Sequence, residues 1–189
     1  EDVLLEPYGG QILNLSVAAT TVLTATLALG GLVGFGLASR VLGRGADPYR
    51  MSAYGTLLGV PAFLAVIAAA PLNSPLLFGL GAFLIGLGGG VFSHGTLTAT
   101  MNLAPPGQRG LALGAWGAVQ ATAAGVAVAL GGIIRDSVNA MASGDVSTAA
   151  QLGPAAGYNV VYGIEIWLLV ATLVALAPLL RRARRPLSS

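Results

Sequence analysis

The chain has no cysteine, no lysine and a single histidine, His94. Without thiols it can hold no disulfide, no thiolate metal centre and no cysteine nucleophile. One imidazole is too few for a protein-ligated zinc or iron site of the usual kind. No Ser/His/Asp arrangement, phosphate-binding loop or closely spaced carboxylate pair is present, so no enzymatic activity is expected. Charge is scarce as well. Only 8% of the residues are charged, against about a quarter in a soluble domain, which excludes an ordinary soluble globule. What fills the chain is apolar: 55% of the residues are hydrophobic and 28 of 189 are glycine, with no collagen-like period. In a bilayer, abundant glycine points to helices packed closely through small residues.

Apolar runs of about 20 residues, the length that crosses the hydrocarbon of a bilayer, recur along the chain. They predict an all-α integral membrane bundle with five full spans, at about 16–39, 51–70, 76–101, 110–134 and 158–180. Gly30 and Gly34 in the first span form a small-xxx-small pair suited to helix contact. Pro61 lies inside the second, where neighbouring helices re-satisfy the backbone group it frees. Pro71–Pro75 reads as a tight turn, and Arg135–Gly157, with Asp136 and Asp145, as a polar loop. Before the first span, Pro7 and Gly9-Gly10 punctuate residues 1–15 as a helix end or turn.

The arginines orient the spans. Arg40, Arg44, Arg50, Arg109, Arg181, Arg182, Arg184 and Arg185 fall at one set of ends and only Arg135 at the other, so the first set is expected to be cytoplasmic. The tail 181–189 is then cytoplasmic, where it anchors topology and touches anionic lipid. A juxtamembrane run of this kind, with no folded basic domain around it, is not expected to bind nucleic acid. Tyr158, Tyr162 and Trp167 sit where interfacial aromatics are expected on the outer side. Five spans then place the start of the chain outside. With no signal-peptide pattern, the reading is of the C-terminal part of a longer protein, with residues 1–8 as the end of a truncated helix.

The centre of the chain is Phe78–Met101, a span whose one ionisable residue is His94, with Gly88-Gly89-Gly90 before it and Gly95 after it. An ionisable residue inside a membrane is a functional-site hypothesis by default. Gly90 and Gly95 are expected to keep the surroundings of His94 small, so that something large and flat can lie against the helix, with Thr96 and Thr98 near enough to hydrogen-bond. The plain alternative is that His94 donates to a neighbouring helix and the glycines only pack helices. Glu165 is the second ionisable group within a span. It is read either as a protonated acid bonded to a neighbouring helix or as a functional group, a proton-coupling site or a ligand. Glu6, with Asp2 and Tyr8, is read either as an interfacial acid or as the polar rim of a central cavity.

Gly36-Leu37-Ala38-Ser39-Arg40-Val41-Leu42-Gly43-Arg44 resembles the loop motif of the major facilitator superfamily, G-x-L-A-D-R-x-G-R, with the first glycine directly before the leucine, serine in place of the acid and one extra residue before the second glycine. Within that superfamily three stretches are similar to the PucC/LhaA family: Asp2–Gly10, Thr20–Ala25, and His94-Gly95-Thr96-Leu97-Thr98-Ala99-Thr100-Met101. The resemblance covers the whole chain. It implies the C-terminal half of a facilitator-like fold and a role in assembling the light-harvesting antenna of purple bacteria, in their inner photosynthetic membrane. It implies bacteriochlorophyll as the bound group, with His94 as axial ligand to its magnesium. The implied partners are antenna polypeptides, the pigment synthase, lipid and the rest of a longer chain. Two other readings stay open: a proton-coupled secondary transporter using Glu165 and His94, and a permanent structural subunit of a photosynthetic complex.

Overall fold

The computed structural model describes residues 2–144 and 155–182. These form six helices: α1 (Asp2–Gln11), α2 (Val17–Leu42), α3 (Pro48–Ala69), α4 (Pro75–Leu103), α5 (Arg109–Gly144) and α6 (Ala156–Arg182). The last five are long and apolar enough to cross a membrane. Their starts are written into the sequence. Ser16 caps α2 by accepting from the Ala19 N–H at 3.2 Å. Asp47 caps α3 through the Tyr49 and Arg50 N–H groups, and Ser74 caps α4 through Leu77. Pro48 and Pro75 follow their caps at the first helical turn, where the missing N–H costs nothing.

α4 is the hub. It packs along its length against α2 on one side and α3 on another, while α2 and α3 barely meet. Glycine makes this possible. A methyl group on Gly30 would collide with the Phe83 carbonyl, one on Gly34 with the Leu87 carbonyl, and one on Gly86 with the Leu27 carbonyl. On the other face of α4, a Cβ on Gly88 would stand 2.8 Å from the Gly55 carbonyl. The expected Gly30/Gly34 contact is thus part of a backbone-to-backbone seam with α4. Gly34→Ala is expected to destabilise the bundle by about 1–3 kcal/mol, because the obstacle is backbone and cannot swing aside. Denaturant titration in detergent checks this. The exposed Gly36, whose Cβ would meet nothing, is the neutral comparison.

At the Pro75 end of α4, five rings form the core. Tyr8 stacks on Phe78 with centroids 5.2 Å apart and meets Tyr158 and Tyr162 edge-on at 5.2 and 5.6 Å, and Phe63 lies beyond Tyr162. Tyr8 donates to the Val66 carbonyl at 3.3 Å and Tyr158 to Gln11 at 2.7 Å. Tyr158 and Tyr162 are therefore buried core residues, not the interfacial aromatics expected; Trp167 is exposed. The tyrosines are drawn inward because α1, α3, α4 and α6 converge there on space that only rings fill.

Two further expectations are corrected. Pro7 and Gly9-Gly10 do not end α1, which runs on to Gln11 and breaks at Asn14, in the left-handed region at φ 52°. Gly9 instead makes room, its Cβ position lying 3.2 Å from both Leu15 and Phe78. Arg135 and Asp136 do not open a loop. α5 continues through them to Gly144, because nothing between Arg135 and Ser143 breaks a helix. At 36 residues and about 1.5 Å per residue, α5 is longer than a bilayer's hydrocarbon is thick. Asp145 and the tail 183–189 lie outside the described residues.

Candidate functional site

A cavity of about 590 Å³ lies among α3, α4, α5 and α6, within the range of small-molecule pockets. Its walls are thin because the residues facing it are small. Gly55 and Gly59 come from α3, Gly88 and Gly89 from α4, and Ala123, Ala124 and Ala127 from α5. Gly89 is exposed to this space, and a Cβ there would meet nothing within 4 Å. Against the apolar walls stand five polar side chains: Glu165 and Thr172 from α6, Gln120 from α5, Ser93 from α4 and Thr56 from α3. Ile85, Phe63 and Leu169 close the end nearer the aromatic core.

The five residues singled out in the sequence do not come together. Glu165 lines the cavity, half-buried. His94 does not. At 3.6 residues per turn it falls on the far side of α4 from Ile85, Gly89 and Phe92, and its ring lies edge-on to Phe35 of α2, centroids 4.2 Å apart. Its Nδ1 is buried with no hydrogen-bond partner among the described residues, so neither the expected donation to another helix nor a contact from Thr96 or Thr98 occurs at that atom. Thr98 donates to the His94 carbonyl at 2.8 Å, and Thr96 donates to the Phe92 and Ser93 carbonyls.

Gly90 and Gly95 provide no open face beside the imidazole. A Cβ on Gly90 would strike the Gly31 carbonyl of α2, and one on Gly95 would come within 2.5 Å of the Ser52 hydroxyl of α3. Their bareness is consumed by helix contacts, and the bare position that remains, Gly89, lies on the opposite face. Glu6 is exposed on α1, where the Thr24 hydroxyl of α2 donates to its carboxylate. That contact joins two of the stretches on which the family resemblance rests, but it does not reach the cavity.

Gln120 and Trp116 were not singled out from the sequence. Gln120 carried a usable signal, as the one carboxamide in an otherwise Ala/Gly/Val-rich span, where polar groups are rare and costly. Trp116 carried none, because its partner Thr96 is visible only in three dimensions. Its indole N–H donates to the Thr96 hydroxyl at 3.2 Å. No group of three or more His, Asp or Glu that could hold a metal ion occurs among the described residues.

The family model described as PUCC protein matches residues 1–184. The chain belongs to the PUCC protein family. Protein PucC of Cereibacter sphaeroides is 56% identical over 182 residues, covering 96% of this chain and 39% of that protein. Protein PucC of Rhodobacter capsulatus is 52% identical over 186 residues, covering 97% and 39%. An uncharacterized protein in the puhA-bchM intergenic region of Rhodobacter capsulatus is 51% identical over 182 residues, covering 96% and 38%. The chain thus spans about two fifths of the length of these curated relatives. No solved structure matches it. The PUCC stretches quoted above, at residues 2–10, 20–25 and 94–101, fall on α1, α2 and α4, and so run through the central packing of the fold.

Proposed function

We propose that this chain is part of a membrane assembly factor for the light-harvesting antenna of a photosynthetic bacterium, and that it holds bacteriochlorophyll in the α3–α6 cavity and passes it to antenna polypeptides. The observation that carries the reading is the cavity itself: apolar walls of glycine and alanine with a few oxygen-bearing side chains between them. A magnesium tetrapyrrole would supply a flat apolar ring and a metal ion. Magnesium prefers oxygen ligands, and Gln120, Glu165 and Ser93, which line this space, would be the residues to hold it. Family membership supports the pathway, and the small-residue walls support a ligand with a flat face. Residues 121–126 of α5 are exposed, Ala123 and Ala124 onto the cavity, and those on its outer side offer a recipient antenna helix its approach. Arg40, Arg44, Arg50 and Arg109 lie at one end of the bundle and Arg135 towards the other, which favours a cytoplasmic position for the first end.

This placement differs from a His94-ligated pigment, and the two separate cleanly. In protein purified gently from photosynthetic membranes, His94→Ala is expected to leave pigment content unchanged, because the imidazole faces α2. Loss of the pigment in that variant, with insertion intact, would move the ligand to the α2–α4 face. The assembly role itself is tested in cells. Variants that lose the cavity are expected to accumulate less antenna complex while still making free pigment. Stoichiometric retention of the protein in mature complexes would favour a structural subunit instead.

A further inference from the structure

α5 is held at its two ends and stands free between them. Towards its C-terminal end, Gly131 lies against Leu4 of α1 and Val161 of α6, and the Arg135 guanidinium sits over the Tyr158 ring at 5.6 Å. Near its start, the Trp116 indole donates to Thr96 of α4 at 3.2 Å. Between these anchors, residues 121–126 are exposed, and Gly117 and Gly125 would meet nothing within 4 Å if given a Cβ. α4 and α5 are consecutive in the chain, yet they touch far less than α4 touches α2 or α3. The cavity lies behind this loose seam. Thr96 is on the same face of α4 as Gly89 and Phe92, one turn beyond Phe92, so the Trp116–Thr96 bond closes the seam at the arginine-rich end of the cavity.

We propose that the α4–α5 seam is a lateral doorway through which a flat apolar molecule passes between the lipid and the cavity, and that Trp116 and Thr96 form its latch. The identity of what passes rests on the function proposed above; the doorway does not. α5 has the build for such motion. Its middle gives up few side-chain contacts when it swings, while the aromatic core holds its far end. The latch is a single neutral hydrogen bond between partly buried groups, strong enough to bias the closed position and weak enough to open thermally.

The chain has no cysteine, so a thiol placed behind the doorway reports its opening. Gly89→Cys puts one on the cavity wall, where a Cβ has room. Its reaction with a lipid-soluble maleimide is followed in native membranes, with the cysteine-free protein as background. Trp116→Phe removes the donor and keeps a ring; Thr96→Val removes the acceptor at nearly constant volume. Each is expected to speed labelling by about three- to ten-fold, the range that one neutral hydrogen bond supports. The two together are expected to add little to either alone, since both break the same bond. A thiol at Leu64, exposed on α3 outside the cavity, is expected to react at one rate throughout. Unchanged labelling at Gly89→Cys in both single variants overturns the latch, and so does equal acceleration at Leu64→Cys. Faster labelling in a protein that binds no pigment upholds the doorway while removing the proposed ligand.

Discussion

Gly89→Trp is expected to lower the affinity of the protein for bacteriochlorophyll by at least about ten-fold, or ~1.4 kcal/mol, with insertion and folding preserved. Two features of the site lead to this. The position opens onto the cavity, and a Cβ there meets no neighbour within 4 Å, so an indole enters free space and not a packed seam. The cost of overpacking that attends a large residue in a filled core is thereby avoided. The indole then occupies the room a flat ligand needs between α4 and the alanines of α5. Gly36→Trp provides the comparison. Gly36 is also open, but it lies on α2 outside the cavity, so it adds the same ring to the protein without blocking the site. The readout is pigment per protein after gentle purification. Pigment at the wild-type level in Gly89→Trp would mean that the ligand lies elsewhere.

Glu165 carries the second large effect. Glu165→Leu is expected to weaken pigment binding by about 1–3 kcal/mol, the cost of removing one partner from a buried polar contact. Glu165→Gln is expected to bind nearly as well as the wild type. A carboxamide keeps an oxygen where magnesium or a hydrogen-bond donor needs one. The pair of variants also discriminates between classes of function. A proton-coupled transporter needs the titration of that carboxyl, so in that case glutamine would be as damaging as leucine, and solute-dependent proton flux would appear in vesicles. Binding and handover without proton coupling require the two substitutions to differ.

How far the fold could be read from the sequence depended on which signals survive in a membrane chain. The helices were legible because length and hydropathy define a span, but the start of α3 was not: the second span was expected from Met51, and the helix begins at Pro48, where Asp47 caps it. The centrality of Phe78–Met101 was legible too, as α4 is the hub. The direction each residue faces was not. A helix that is apolar all round has no hydrophobic stripe to reveal its buried side, and a glycine looks the same whether a helix or a cavity lies over it. The glycines flanking His94 therefore suggested one bare surface. Instead Gly90 meets α2, Gly88 and Gly95 meet α3, and Gly89 opens onto the cavity. Glu165 was visible because a carboxyl within a span stands out wherever it points. Gln120 stands out less, and Trp116 carries no signal until Thr96 is found beside it.

The most direct measurement is the absorption spectrum of the wild-type protein, purified gently from photosynthetic membranes beside Gly89→Trp, Gly36→Trp and His94→Ala. The expected result is bound bacteriochlorophyll in the wild type, in Gly36→Trp and in His94→Ala, and its loss in Gly89→Trp. A wild-type protein that carries no pigment, or a Gly89→Trp protein that carries as much as the wild type, would contradict a pigment site between α4 and α5.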